Sequence, residues 1–540
     1  MKEMYNEPTK TNEAMKTMKK FLSMAALALV GAVMTGCSSD DSLTGKAQEP
    51  AVKNNVVTLT TTVSLGGDGT RALTDGGVKT FATGDQIAVI YKDTDGNTQK
   101  AVSEALTEGG SSSATFTVTL EAPKGGEPVR YIYPAAMAAE TVETSTEVTD
   151  DATINYAALA SQDGTLTTLA SKYDLAVFDG SLTAGATLPA SSTLKNKLAI
   201  LAYTIKDAGG TSDLTNTITR LTVSDGPNTY GVTRTAADGP VYIAIRPTSD
   251  ATISIMAATG TTTYTKSLAS KTYVANNIYK AGLKMTEVPG AIPGMFSISS
   301  DGKTVFSKGN LQLSAANTWK FADSQWSCFG NSQSDNHRDL FGWGTGNNPN
   351  LISENDNDYS TFTDWGSNIY LQSQLGSDWR TLTGGSGGEW EYLFKTRTTA
   401  TTNMPTGNNS GSARYTKATV AGVSGVILFP DNYAHPAGVT VTVSDAAYNT
   451  IDKNYTTFTV DASNWVTMQS AGCVFLPAAG WRKGSTVYGV GSLGYYWSSS
   501  PDASDVAYAC YVSISLEGLN PANKNNRCRG RSVRLVRPVE

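Results

Sequence analysis

The stretch VVTLTTTVSL, Val56 to Leu65, decides how the first half of the chain is read. Val57, Leu59, Thr61, Val63 and Leu65 fall on one face of an extended backbone. Thr58, Thr60, Thr62 and Ser64 fall on the other. A period of two is the mark of a half-buried strand in an antiparallel sheet. SATFTVTL (Ser113–Leu120) repeats it, with Ala114, Phe116, Val118 and Leu120 to one side and threonines between them. Long helical patterns are missing from this half. The expectation is one or two β-sandwiches.

The composition agrees. The chain has 540 residues, enough for three or four domains, and 51 of them are glycine, which suits a β protein with many turns. Its 42 Lys and Arg against 48 Asp and Glu give a net charge of −6, which argues against a general nucleic-acid binder. All nine tryptophans lie between Trp319 and Trp497, and both histidines and four of the five cysteines lie beyond Gly294. Residues 51–285 have none of these, which suggests two folding units. The break is expected at VPGAIPG (Val288–Gly294), where prolines and glycines disfavour regular structure.

At the N-terminus, MKTMKKFLSMAALALVGAVMTGCSSDD begins at Met15, with Met18 as a second possible start. Lys16, Lys19 and Lys20 precede an apolar run of 13 residues, Phe21–Val33, too short for a comfortable membrane span. Thr35 and Gly36 then lead into Cys37. This resembles a bacterial lipoprotein signal peptide over residues 1–36. The resemblance implies cleavage before Cys37 and lipidation, palmitate included, of its sulfur and new amine. The alternative is a plain secretory signal with an incidental cysteine. Residues 37–55 read as a tether, and a lipid would be the only anchor. SSDD (Ser38–Asp41) resembles the acidic signal that sends some Bacteroidetes lipoproteins to the outer face of the outer membrane; acidic linkers are also common. Beyond Cys37, an exported location permits disulfides among Cys328, Cys473, Cys510 and Cys528, in three complete pairings that the sequence does not distinguish.

TRALTDGGVKTFATGDQIAVIY (Thr70–Tyr91) is followed by VRYIYPAA (Val129–Ala136), KYDLAVFDG (Lys172–Gly180), VYIAIRP (Val241–Pro247) and NNIYKAGLKM (Asn276–Met285). This ordered set resembles the fimbrillin family of Bacteroidales pilins. The resemblance implies two transthyretin-like β-sandwich halves over residues 56–288, split near 180–195, and assembly with other pilin subunits by donor-strand exchange. It also implies arginine-specific cleavage after the first strand, which matches Arg71 here; Arg71 as an ordinary turn residue is the alternative. An incoming strand would satisfy the N–H and C=O groups that a departed strand leaves behind.

Beyond Gly294 the text changes. WRTLTGGSGGEWEYLFKTR (Trp379–Arg397) contains the best helix of this half, Glu389–Arg397, with Trp390, Leu393 and Phe394 as its apolar stripe. VILFPDNY (Val426–Tyr433) and CVFLPAAGWR (Cys473–Arg482) read as buried strands ending at proline. GSLGYYWSSSP (Gly491–Pro501) and RGRSVRLVRPVE follow. The set resembles C-type-lectin-like domains related to the formylglycine-generating enzyme, over residues 294–540. That implies an α+β domain with irregular loops, and a possible diversity-generating retroelement target whose C-terminal stretch varies its binding surface. GGSGG (Gly384–Gly388) departs from the tighter loop of related sequences.

An enzyme is not expected. The formylglycine-generating pattern needs two closely spaced cysteines, and Cys528 lies 18 residues after Cys510. Arginines beside Cys528 should lower its pKa, but no base is in sequence reach. Two histidines 98 residues apart, His337 and His435, do not suggest a zinc or His-based site. No cofactor is implied. Glu354, Asp356 and Asp358 alternate in SENDNDYS and are a candidate calcium site, with a solvated acidic loop as the alternative.

In VAYACYVSISLEG (Val506–Gly518), Tyr508, Cys510, Val512, Ile514 and Leu516 form a credible core face. Ala509, Tyr511, Ser513, Ser515 and Glu517 should look outward. With Asn523, Asn525, Cys528, Arg529 and Arg531 they are the candidate ligand-binding residues, because Tyr, Ser, Asn and Arg suit recognition. An ordinary solvent-facing hairpin is the alternative. GRSVRLVRPV is expected to close the fold, and the lectin-like resemblance implies that Arg534 and Arg537 pair with acids such as Glu389 or Glu391. The expected protein is a non-enzymatic lipoprotein adhesin of the cell surface, associated with a pilus and binding a protein or glycan but no nucleic acid. A structural pilus subunit and a modifying enzyme are the lesser readings.

Overall fold

The computed structural model describes residues 56–66, 80–234, 238–260, 262–405, 413–448 and 453–539. Cys37, the tether and Arg71 lie outside them. The protein is mainly β, and among the described residues no helix is long and apolar enough to cross a membrane.

The first sheet holds β1 (Val56–Leu65), β2 (Ala88–Lys92), β3 (Thr98–Val102), β4 (Ser113–Glu121), β5 (Pro128–Tyr133), β7 (Ala176–Ser181) and β8 (Ser191–Asn196), in the order β3-β2-β5-β7-β8-β1-β4. β1 keeps its alternation: Thr61 and Val63 are buried, Thr58 and Thr60 exposed. It lies inside the sheet, antiparallel to β4 from Val56↔Glu121 to Ser64↔Ser113 and parallel to β8 from Thr62↔Ser191 to Leu65↔Leu194. Phe81 packs edge-on against Phe116 and Tyr133, each at 5.2 Å between centroids. Such pairs favour the edge-to-face arrangement of opposed ring quadrupoles.

The second sheet holds β6 (Ser161–Gln162), β9 (Ala199–Asp207), β10 (Arg220–Ser224), β11 (Thr229–Thr233), β12 (Val241–Ile245), β13 (Thr248–Ala258), β14 (Thr263–Tyr273) and β15 (Ile278–Glu287). Its order is β12-β9-β15-β14-β13-β10-β11-β6. Buried Gln162 links its two ends. Its amide donates to Ala244 O at 2.8 Å and accepts from Ala244 N at 2.9 Å, so one side chain pairs with β12 as backbone would. β2, β5 and the first two residues of β7 are buried on both faces. Ala88, Ile90, Ile132 and Val177 join the core of the second sheet, while Val89, Tyr91 and Tyr131 join that of the first. Continuous apolar runs are what double-sided burial requires.

The chain leaves the second sheet at VPGAIPG. Val288 and Ile292 are buried, so this segment is packed rather than a free linker. Gly290 has φ of +74°, and a Cβ on Gly294 would run into the Gly472 carbonyl oxygen, so glycine is needed at both. Met256 and Ala258 of β13 share one core with Met295, Trp319 and Phe321. Lys303 Nζ reaches the Gly226 carbonyl in the β10–β11 turn at 3.1 Å.

Residues 294–539 contain shorter strands between irregular loops. The largest sheet orders Thr442–Val443, Phe458–Val460, Tyr415–Val420, Val423–Leu428 and Val474–Pro477. At the expected helix, an α-turn over Glu389–Glu391 runs into a π-helical turn over Tyr392–Thr396, and Trp390, Leu393 and Phe394 are buried. The helix Ala462–Ser470, not foreseen, starts at Asp461, whose carboxylate accepts from Asn464 N at 2.8 Å. The closing strand is short: Val536–Pro538 pairs antiparallel with Lys303–Phe306.

Candidate ligand-binding face

Three antiparallel strands, Gly494–Pro501, Tyr508–Ile514 and Leu519–Asn526, carry the candidate residues. Their register sets Trp497 opposite Tyr511, Tyr511 opposite Asn523, and Tyr495 opposite Ser513. Side chains on one face, Tyr496, Val512 and Ile514, enter an apolar core.

The other face corrects the sequence reading. Ala509 and Tyr511, expected to look outward, are buried in a second core beside Trp343 and Trp497. A second layer covers them. Trp497 Nε1 donates to Phe341 O at 2.7 Å, and Trp343 Nε1 donates to Ser498 O at 2.9 Å. The segment after Asn526 then crosses the same face, with Phe341 N bonded to Arg531 O at 2.9 Å and Ser532 N to Tyr495 O at 3.0 Å. Cys528 and Arg531 are buried for the same reason. Ser513, Ser515, Asn523, Asn525 and Arg529 are half-buried and Glu517 is exposed. Leu516, assigned to the core face, is 52% exposed, because the strand ends at Ile514 and a turn carries it outward.

Alternate arginines meet alternate rings. The Arg527 guanidinium lies 4.4 Å from the Trp343 ring centre, and that of Arg529 lies 5.3 Å from Trp481. Arg531 sits 3.5 Å from Tyr511 and 4.2 Å from Trp497. Ring quadrupoles thus attract cations that have little water around them. Burial lowers the Arg531 pKa to about 10. The sequence reading missed Trp343, Trp481 and Tyr495, although the R-x-R-x-R spacing was visible.

The expected acid partners of Arg534 and Arg537 are wrong. Arg380 takes Glu389 with two hydrogen bonds of 2.7 and 2.5 Å, and Lys395 takes Glu391 at 2.9 Å. A bridge from Arg380 to Val536 brings Arg380 beside the strand that carries these arginines. Arg534 instead donates to Gln325 Oε1 at 2.7 Å and Phe475 O at 3.3 Å, and burial lowers its pKa to about 9. Arg537 pairs with Asp378 at 3.2 Å.

Cys328, Cys473, Cys510 and Cys528 are all free thiols. The Cys528 pKa is pushed up to about 11, first by burial and then by Asp356; Arg529 opposes this without prevailing. This reverses the lowering expected from neighbouring arginines. Cys510 lies under the glycine loop, where a Cβ on Gly385 would come within 3.3 Å of its Sγ. The calcium candidates do not assemble, and the described residues hold no group of three His, Cys, Asp or Glu able to bind a metal. Asp356 accepts from Asn526 Nδ2 at 2.6 Å and Cys528 N at 2.9 Å, while Glu354 pairs with Lys483 at 3.4 Å. Asp356–Tyr359 is a 3₁₀ turn, in which residues two apart do not share a face. His337 stacks on Phe329 at 3.8 Å, and His435 lies between Tyr433 Oη at 2.9 Å and Val439 O at 3.2 Å.

No protein-family model matches the chain, and no curated protein matches it. Solved structures do. A fimbrial protein from Bacteroides ovatus is 12% identical, with 89% of this chain and 99% of that one covered at a TM-score of 0.25. A fimbrial assembly protein from Parabacteroides distasonis is 12% identical, covering 47% and 96% at 0.24. The C-terminally truncated tip fimbrial protein of Porphyromonas gingivalis is 11% identical, covering 42% and 95% at 0.23. At these identities and scores the likeness establishes no family.

Proposed function

We propose that the protein is a non-enzymatic adhesin of the cell surface, held to the outer membrane by lipid at Cys37 and associated with a pilus in a tip-like position. Residues 294–540 would bind the ligand. One observation carries this reading. Half-exposed Ser513, Asn523 and Asn525 stand on a three-stranded sheet packed on both faces, with half-exposed Arg529 in the turn that follows its last strand. Recognition gains from polar and aromatic groups on a rigid support, because little ordering remains to be done on binding. The nucleophile at the face, the Cys528 thiol, has the Asp356 carboxylate beside it, but burial and that carboxylate push its pKa up to about 11, against thiolate chemistry.

A structural pilus subunit is the second reading, favoured by β1. That strand is bonded on both edges, so its release after cleavage at Arg71 would expose facing edges of β4 and β8 to a partner's strand. Immunogold labelling of cells, with glycan and protein arrays probed by the chain from Ser38, separates the two. Tip or surface labelling with array binding supports the adhesin. Labelling along shafts with no array binding overturns it.

A further inference from the structure

The rim of this face has cations without anions. Arg529 and Arg531 donate no side-chain hydrogen bond to any described residue, and Arg529 Nη1, Arg531 Nε and Arg531 Nη1 are buried without a partner. A buried donor without an acceptor costs about 1–3 kcal/mol, more when charged. The two guanidiniums are near enough to oppose each other's charge. Asp356, which is hydrogen-bonded to Cys528 N, is engaged by that group and by Asn526. Rings hold these cations in place but accept no directed hydrogen bond from them of ordinary strength.

The surroundings fit a sugar that carries an acid. Tyr488 is 44% exposed and stacks on Trp481 at 4.8 Å with planes 23° apart, and Arg529 lies over the same Trp481. Half-buried Tyr495 lies 5.5 Å from the Arg531 guanidinium. Aromatic planes thus flank the cationic pair and offer apolar area to a pyranose ring. Asn523 Nδ2 donates to Ser513 Oγ at 3.1 Å, so amide and hydroxyl groups at the rim can exchange hydrogen bonds with sugar hydroxyls. Guanidinium matches the paired oxygens of a sulfate or carboxylate.

We propose that Arg529, backed by Arg531, is the anion-binding centre of this face, and that its ligand is a sulfated or carboxylated glycan. This rests on the ligand-binding reading given above. Arg529 makes the contact because it is the more exposed of the two, and Arg531 supplies positive potential from beneath.

The test uses the chain from Ser38 with three probes: a heparin-derived hexasaccharide, hexagalacturonate and neutral maltohexaose. Titration calorimetry should show binding of at least one charged probe, and at least tenfold weaker binding of maltohexaose. Heparin carries uronate carboxylates as well as sulfates, so heparin binding that is lost on desulfation identifies sulfate as the recognised group, and hexagalacturonate binding identifies carboxylate. Arg529→Gln should weaken the charged probe at least tenfold with an unchanged unfolding midpoint. Lys195→Gln, an exposed charge on β8, should change nothing. Equal affinity of Arg529→Gln and wild type, or no binding of either charged probe, overturns the proposal. If an array ligand of another kind is lost on Asn523→Ala but not on Arg529→Gln, the anion assignment fails and the binding face stands. If no array ligand binds at all, both fail.

Discussion

The two halves of the molecule bury charge to different extents. In the sheets of residues 56–287, order comes from long ladders and alternating apolar residues, as in the nine-pair register of β1 with β4. Beyond residue 294 the strands are shorter, and buried cations do the joining. Arg397 donates to Leu393 O at 2.7 Å, to Arg414 O and Phe429 O at 2.8 Å, and to Asp431 at 2.9 Å. Arg482 reaches Leu340 O at 3.2 Å. Irregular loops leave carbonyls that no ladder satisfies, and a guanidinium with five donors satisfies several at once. The first half uses the same device only at its irregular places, where buried Arg130 donates to Asp150 O at 2.8 Å and buried Arg234 to Thr215 O at 2.7 Å; the second half relies on it throughout.

Breaking the cation network should have the largest effect. Asp431 is buried and accepts from Arg397 at 2.9 Å and Ser297 at 2.5 Å, with Lys303 at 3.6 Å. Asp431→Ala leaves two buried cations unpaired and should cost about 3–5 kcal/mol in urea unfolding. A loss below about 1 kcal/mol would mean that the network is incidental. On the other side of the comparison, Leu120→Ala on β4 removes a fully buried side chain and should cost about 2–5 kcal/mol by the same assay.

Thiol chemistry sharpens the contrast, first in the folded protein and then in the unfolded one. With its pKa pushed up to about 11, Cys528 should alkylate at pH 8 on the order of a hundredfold more slowly than an unperturbed cysteine. Peptide mapping after timed iodoacetamide treatment measures this, and in guanidinium Cys328, Cys473, Cys510 and Cys528 should all be labelled without reduction.

The smallest effect concerns pH. Hydrogen bonds from Asn464 and Ser463 hold the Asp461 carboxyl at about 2, below its ordinary 3.8. A depressed carboxylate contributes stability that is fully present above about pH 4 and is lost as pH falls toward 2. Asp461→Asn keeps a capping oxygen but cannot titrate. Its unfolding midpoint should therefore fall less between pH 4 and pH 2 than that of the wild type.

Local pattern was legible. The faces of β1, and the stripe of Trp390, Leu393 and Phe394, followed from spacing because each depends on residues a few positions apart. The faces of the Tyr508–Ile514 strand were also separable by their period of two. What covers each face was not legible, because Phe341 and Trp343 come from more than 150 residues earlier. The acids given to Arg534 came from the lectin-like resemblance, and its partner Gln325, 209 residues away, was no more visible in the local pattern. The thiol shift went astray because charge was read and burial was not. The acid triplet around Asp356 failed as a metal site because a 3₁₀ turn and the hydrogen bonds to Asn526 and Cys528 disperse it.

The binding face is tested most directly by comparing wild type with a Ser513→Ala, Asn523→Ala, Asn525→Ala variant on the same glycan and protein arrays. A ligand-binding face predicts defined array features for the wild type that the variant loses while its unfolding midpoint is unchanged. Identical profiles for the two proteins, or no bound feature for either, would contradict it.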